Sequence, residues 1–139
     1  MHPTDVALVQ RTWKQILPIS DDAAQLFYSR LFEIDPTLRK LFAHSDMAEQ
    51  RRKLMMIIGM AVRSLDQLDD LIPAVEALGR KHVAYGVTNE HYDTVASALI
   101  WTLEQGLGSG FTAQVRSAWT ETYTILASVM QRGAQQLAA

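Results

Sequence analysis

LIPAVEALGRKHVAYG, residues 71–86, carries apolar side chains at Leu71, Val75 and Leu78 and then sets His82 and Tyr85 in the same row. Spacings of four, three, four and three define one face of an α-helix, and a strand, with its period of two, cannot hold these residues together. Pro73 suits the first turn of such a helix and Gly86 its end. His82 therefore points into the interior. A buried imidazole needs a partner for each nitrogen. A metal on one and a backbone carbonyl on the other is one solution, and the carbonyl of Leu78, one turn earlier, is placed for the second role. Taken alone, a core histidine satisfied by ordinary hydrogen bonds explains the position more simply.

Outward from this stretch the helical period repeats. Thr4 and Asp5 offer a cap for a first helix with Val6, Val9, Trp13 and Ile16 on its inner face, ending at Pro18. Ser20 offers a cap for a second, with Ala24, Phe27, Tyr28, Leu31 and Phe32 together, stopped where Asp35 precedes Pro36. Pro36 opens a short helix through Leu41 and Phe42. After a polar corner at 43–46, a long helix aligns Met47, Gln50, Leu54, Ile57, Ala61 and Leu65. Asn89 opens a helix bearing Tyr92, Val95, Ala96, Leu99 and Leu103, broken by Gly106, Gly108 and Gly110. Thr112 caps the last, with Val115, Trp119, Thr122, Ile125 and Val129, before a polar tail at 133–139 that is expected to fray. No segment alternates and no repeat appears, so the expectation is an all-α fold of six or seven helices forming one domain over 1–139.

Composition narrows the chemistry. A chain of 139 residues that is 48% hydrophobic can bury one core without staples. It has no cysteine, which removes disulfides, iron–sulfur ligation, thiolate-ligated haem and covalent c-type haem together. The formal charge is -2 and the basic residues are scattered, so nucleic acid is not an expected partner. The longest apolar run, Leu54 to Val62, falls short of the roughly 20 residues that span a bilayer, and MHPTDVALVQ lacks the pattern of a secretory signal. The expectation is a cytoplasmic protein with no membrane contact. His44, His91, Asp46 and Glu90 show no metal-ligand spacing, and neither GxGxxG nor GxxxxGK is present.

Tyr28 and Gln50 share the feature that distinguishes His82: each is a polar head in an apolar row, on a different helix. Singly, Tyr28 reads as a core aromatic whose hydroxyl finds a carbonyl, and Gln50 as a boundary residue reaching water. Together they supply two neutral donors able to converge on one polarised diatomic ligand.

At this point the sequence resembles the globin family, and within it the single-domain bacterial haemoglobins and the globin module of flavohaemoglobins. The resemblance runs through nearly the whole chain and rests on LFYSRLFEIDPTLRKLF at 26–42, LGRKHVAYGV at 78–87, NEHYDTV at 89–95 and AWTETY at 118–123. It implies a non-covalent haem b with His82 as the proximal iron ligand. It places Phe42 on the porphyrin, Tyr28 and Gln50 on the distal side, and Leu54 over the iron-facing pocket. Leu78, Val87 and Tyr92 are expected to contact the cofactor, with Lys81, Lys53 and His44 as partners for its propionates. Flavohaemoglobins polarise the proximal histidine with a tyrosine and a glutamate. Tyr92 matches the tyrosine, but Ala134 stands where the carboxylate belongs, with Gln135 or Gln136 as partial substitutes if the last helix shifts.

The function implied is reversible binding of oxygen, together with nitric oxide and carbon monoxide, at a pentacoordinate haem, Tyr28 and Gln50 stabilising the oxygen complex. Two alternatives stay open. One is a nitric oxide dioxygenase served by a separate reductase, since no flavin or nicotinamide motif is present; the other is a globin-fold sensor or interaction module.

Overall fold

A computed structural model describes the backbone of residues 1–138 and the side chains of 1–135. Among the described residues six α-helices and no strand are present. They are α1 (Pro3–Ile16), α2 (Ser20–Ile34), α3 (Met47–Arg63), α4 (Leu68–Ala84), α5 (Asn89–Leu107) and α6 (Ala113–Ala138), with short 3-10 turns at Leu17–Ile19, Pro36–Phe42, Leu65–Gln67 and Gly108–Gly110. The all-α expectation holds. No helix among the described residues is long and apolar enough to cross a membrane.

Helix ends follow local chemistry, with several differences from the sequence reading. Asp46 caps α3 by accepting from the backbone N–H of Ala48 at 3.0 Å and of Glu49 at 3.4 Å. The cap of α1 is His2, whose Nδ1 accepts from the N–H of Thr4, so Thr4 and Asp5 fall inside the helix. Ser20 makes no cap bond; Asp21 and Asp22 in the first turn of α2 face its positive end instead. Thr88 and His91 form a reciprocal capping box for α5, which displaces Asn89 to the first helical position. Thr112 does cap α6, its hydroxyl accepting from Val115 N–H at 3.2 Å.

The core is built from α1, α2, α5 and α6, with Val9, Trp13, Ile16, Phe27, Leu31, Leu103 and Trp119 buried. Most of its polar side-chain atoms are paired inside, although Trp13 Nε1 is buried without a partner. Thr12, Thr102 and Thr122 donate to the carbonyls of Leu8, Ala98 and Ala118 one turn earlier, and Trp119 Nε1 donates to Thr12 Oγ1 at 2.8 Å.

Two rows are less buried than their periodicity implies. Tyr85, read as inward, is 66% exposed, because α4 ends at Ala84 and the chain turns at Gly86, which has a φ of 90°. Ile57 is 41% exposed. Helix α4 also starts earlier than Pro73 suggests: Leu68 opens it, and Pro73 lies in its interior, where it has no N–H to give the carbonyl of Asp69.

The stretch read as a fraying tail from 133 is helical to Ala138. Gly133 is buried, and a Cβ built on it would lie 2.2 Å from the carbonyl oxygen of Glu76. Reciprocally, a Cβ on Gly79 would lie 1.9 Å from the carbonyl oxygen of Met130. Helices α4 and α6 thus cross backbone to backbone, and α6 is the main neighbour of α4. Helix α3 packs instead on α2 and α1, and α3 and α4 barely approach each other.

Candidate functional site

The residues singled out by the sequence fall into two groups of side chains, one around Tyr28 and one around His82. The first centres on Tyr28, brought by α2 into a cluster of rings. Phe27 stands edge-on at 5.1 Å between centroids, Phe42 edge-on at 5.5 Å and Phe32 tilted at 6.1 Å. Phe42 arrives on the Pro36–Phe42 turn, which Pro36 starts and Asp35 caps. Burial pushes the Tyr28 phenol above its ordinary range, and a hydrogen bond with the Gln50 side chain opposes part of that rise. Tyr28 and Gln50, on separate helices, therefore meet.

The same contacts fix the register of α3. A slip of one residue would put Glu49 or Arg51 in place of Gln50, but Glu49 pairs with Arg52, and Arg51 reaches Asp21 at 3.5 Å. Leu54 follows Gln50 by one turn and packs on the core while half-buried.

The second group centres on His82. Burial lowers its pKa, so the neutral imidazole, the form with a lone pair to give, is favoured. Its Nδ1 is buried and finds no hydrogen-bond partner, so the bond expected to the Leu78 carbonyl is not formed. That carbonyl lies in the helix's own ladder, and the ring turns toward α5, with Tyr92 at 6.3 Å between centroids. The Tyr92 hydroxyl is likewise buried without a partner. Tyr92 is held by its backbone: its carbonyl accepts from the Tyr123 hydroxyl at 2.7 Å. Ala134, the position that the sequence resemblance matched to the family's carboxylate, has no polar side chain. Leu78 and Val87 are half-buried beside His82 in the chain, and Lys53, Lys81 and His44 are exposed.

Among the described residues no three His, Cys, Asp or Glu side chains gather to hold a bare metal ion. One neutral histidine suits a metal that brings its other ligands with it, as iron in a porphyrin does. A flat apolar group also suits the partly exposed apolar side chains of Leu54 and Ile57 on α3, Leu78 on α4 and Val87 just after it. The residues fit haem. Sequence reasoning missed the crossing at Gly79 and Gly133; the signal was present, since each glycine interrupts a helical row where alanine would be favoured by about 1 kcal/mol.

Comparison with known proteins agrees with the all-helical fold. The Globin family matches residues 25–130. Neuroglobin of Danio rerio is 32% identical over 142 residues, covering 93% of this chain and 89% of that protein. Neuroglobin-1 of Oncorhynchus mykiss is 32% identical over 139 residues, covering 91% and 87%. Among solved structures, an engineered carbene transferase based on RmaNOD, described as a candidate nitric oxide dioxygenase of Rhodothermus marinus, superposes with a TM-score of 0.88 at 25% identity, covering 99% and 96%. A hexacoordinated haem protein of an anhydrobiotic tardigrade shares the fold with a TM-score of 0.85 at 16% identity, covering 97% and 96%. The motifs read as bacterial in likeness, whereas these sequence relatives are neuroglobins of fish.

Proposed function

This chain belongs to the globin family, whose members bind haem and gaseous ligands such as oxygen, and from that premise we propose that it binds oxygen reversibly at a pentacoordinate haem b held by His82. The observation that carries the reading is the meeting of Tyr28 and Gln50, two neutral donors from different helices in a ring of aromatic side chains. Haem would supply the iron that takes the diatomic ligand. His82 would give it one lone pair from a neutral imidazole. Tyr28, its phenol raised by burial, stays protonated through the neutral range and keeps a hydrogen to donate. Gln50 presents an amide beside it and brings no imidazole to compete for the iron. Phe42, Leu54, Ile57, Leu78 and Val87 would hold the porphyrin by apolar contact, and the bound group would shield them from water.

The test is oxygen release. Tyr28→Phe keeps the ring and removes one donor to a polarised ligand, a loss of about 1.5–3 kcal/mol, or roughly ten- to a hundredfold faster release. Carbon monoxide, which carries little charge, should respond far less. Unchanged oxygen release in both Tyr28→Phe and Gln50→Leu would overturn the reading.

A second reading is favoured by the Rhodothermus marinus neighbour: nitric oxide dioxygenase activity with a separate reductase. Nitric oxide, oxygen and one electron give one nitrate, so each turnover consumes an electron that no flavin or nicotinamide motif in this chain supplies. The isolated ferrous protein should make one nitrate per haem and stop, and a flavoprotein reductase with its nicotinamide donor should restore turnover. Failure to make the first nitrate leaves binding alone.

A further inference from the structure

Both proximal elements are indexed to one helix. Helix α6 meets α4 at two points three residues apart on each helix: Gly79 against the backbone of Met130, and Gly133 against the backbone of Glu76. Neither point can yield by turning a side chain, because backbone faces glycine on both sides. One turn beyond Gly79 stands His82. Two to three turns before Gly133 on α6, Tyr123 hydrogen-bonds to the backbone of Tyr92, whose ring faces His82. His82 itself has no hydrogen bond at Nδ1 to fix its ring. With that tether missing, the ring's place depends on where its helix lies.

We propose that Gly79 and Gly133 are positioning residues, and that their backbone crossing makes the C-terminal half of α6 set the height and tilt of the proximal histidine. Interiors transmit such displacements because they are close-packed and stiff. A methyl group at either glycine forces α4 and α6 apart, moving His82 relative to Tyr92, which α6 holds through Tyr123. Arg132 and Glu76, at 3.8 Å, brace the same crossing from its exposed side. The inference rests on His82 being the iron ligand.

The experiment uses the haem-loaded protein. The iron–histidine stretching band of the ferrous form is recorded by resonance Raman for wild type, Gly79→Ala, Gly133→Ala and the control Gly106→Ala. At Gly106 an added Cβ would meet only the far ends of two side chains, Ile16 at 2.6 Å and Ile19 at 3.5 Å, where α5 packs on α1 and the turn after it. The two crossing variants should shift the band and change carbon monoxide association several-fold, whereas Gly106→Ala should lower thermal stability and leave the band in place. A role confined to packing predicts the same lower stability in all three with an unmoved band, and that result overturns the proposal. If neither crossing variant retains haem, Arg132→Ala decides: a band shifted or broadened supports the proposal, and an unchanged one refutes it. Should wild type show no iron–histidine band, or keep it in His82→Gly, it is the ligand assignment that fails and not the crossing.

Discussion

At His82, burial and the missing hydrogen bond act in different directions. Burial favours the neutral imidazole that a metal requires, while an orphaned Nδ1 is a cost of about 1–3 kcal/mol that a bonded neighbour would remove. Replacing His82 with Gly should abolish stable haem retention, and millimolar imidazole should restore the Soret band by diffusing into the vacated space. Retention without imidazole would move the ligand elsewhere. The Tyr92 hydroxyl bears the same cost without a donor's duty to perform. Tyr92→Phe should therefore raise the thermal midpoint, by about 1–3 kcal/mol at most in stability, and a lowered midpoint would mean that the hydroxyl has a partner. The positions of Tyr28, Gln50 and His82 were legible because each is a polar residue in a helical row of apolar ones. The bonding of their polar atoms was not. Whether Nδ1 meets the Leu78 carbonyl depends on a side-chain rotation set by α5, which no local pattern encodes.

Among the helices, α3 shows how a terminus governs a site. Asp46 satisfies two N–H groups that would otherwise be left open, and the start it fixes places Gln50 one turn in, beside Tyr28. Asp46→Ala should cost about 1 kcal/mol in urea unfolding and should also speed oxygen release, because fraying of the first turn frees Gln50. Loss of stability with unaltered release would separate the cap from the pocket. The type of each helix was readable from the spacing of apolar residues, but their ends were less so. His2, Thr88 and His91 cap where Thr4 and Asn89 looked equally able, since capping is decided by which side chain reaches an N–H within one turn. Tyr85 misled because the periodic row runs past the end of α4. The crossing of α4 and α6 escaped for a related reason: a glycine in a helix announces a close approach without saying to what.

For the molecule as a whole, alkaline pH offers a global check. Tyr28, Tyr92 and Tyr123 are all raised by burial, and for Tyr123 the nearby Tyr92 and Asp93 add to it. In the unfolded chain tyrosines ionise near about pH 10, so above that pH the unfolded state holds fewer protons than the native one. Stability is then intact below pH 10 and falls as pH rises past it. Urea midpoints measured from pH 8 to 11 should be level and then decline, with a shallower decline in Tyr92→Phe; a flat profile would mean that these phenols ionise freely in the native state. The contact between α1 and α6 has a different consequence. Trp119 donates to Thr12 across 107 residues, and the rings of Trp13 and Trp119 lie 6.1 Å apart. During synthesis at roughly 5–20 residues per second, the first helix waits on the order of ten seconds for this partner to emerge from the ribosome. Until then its apolar face, including Trp13, is available to chaperones, and a nascent chain halted before Trp119 should be captured by them while one halted after α6 should not.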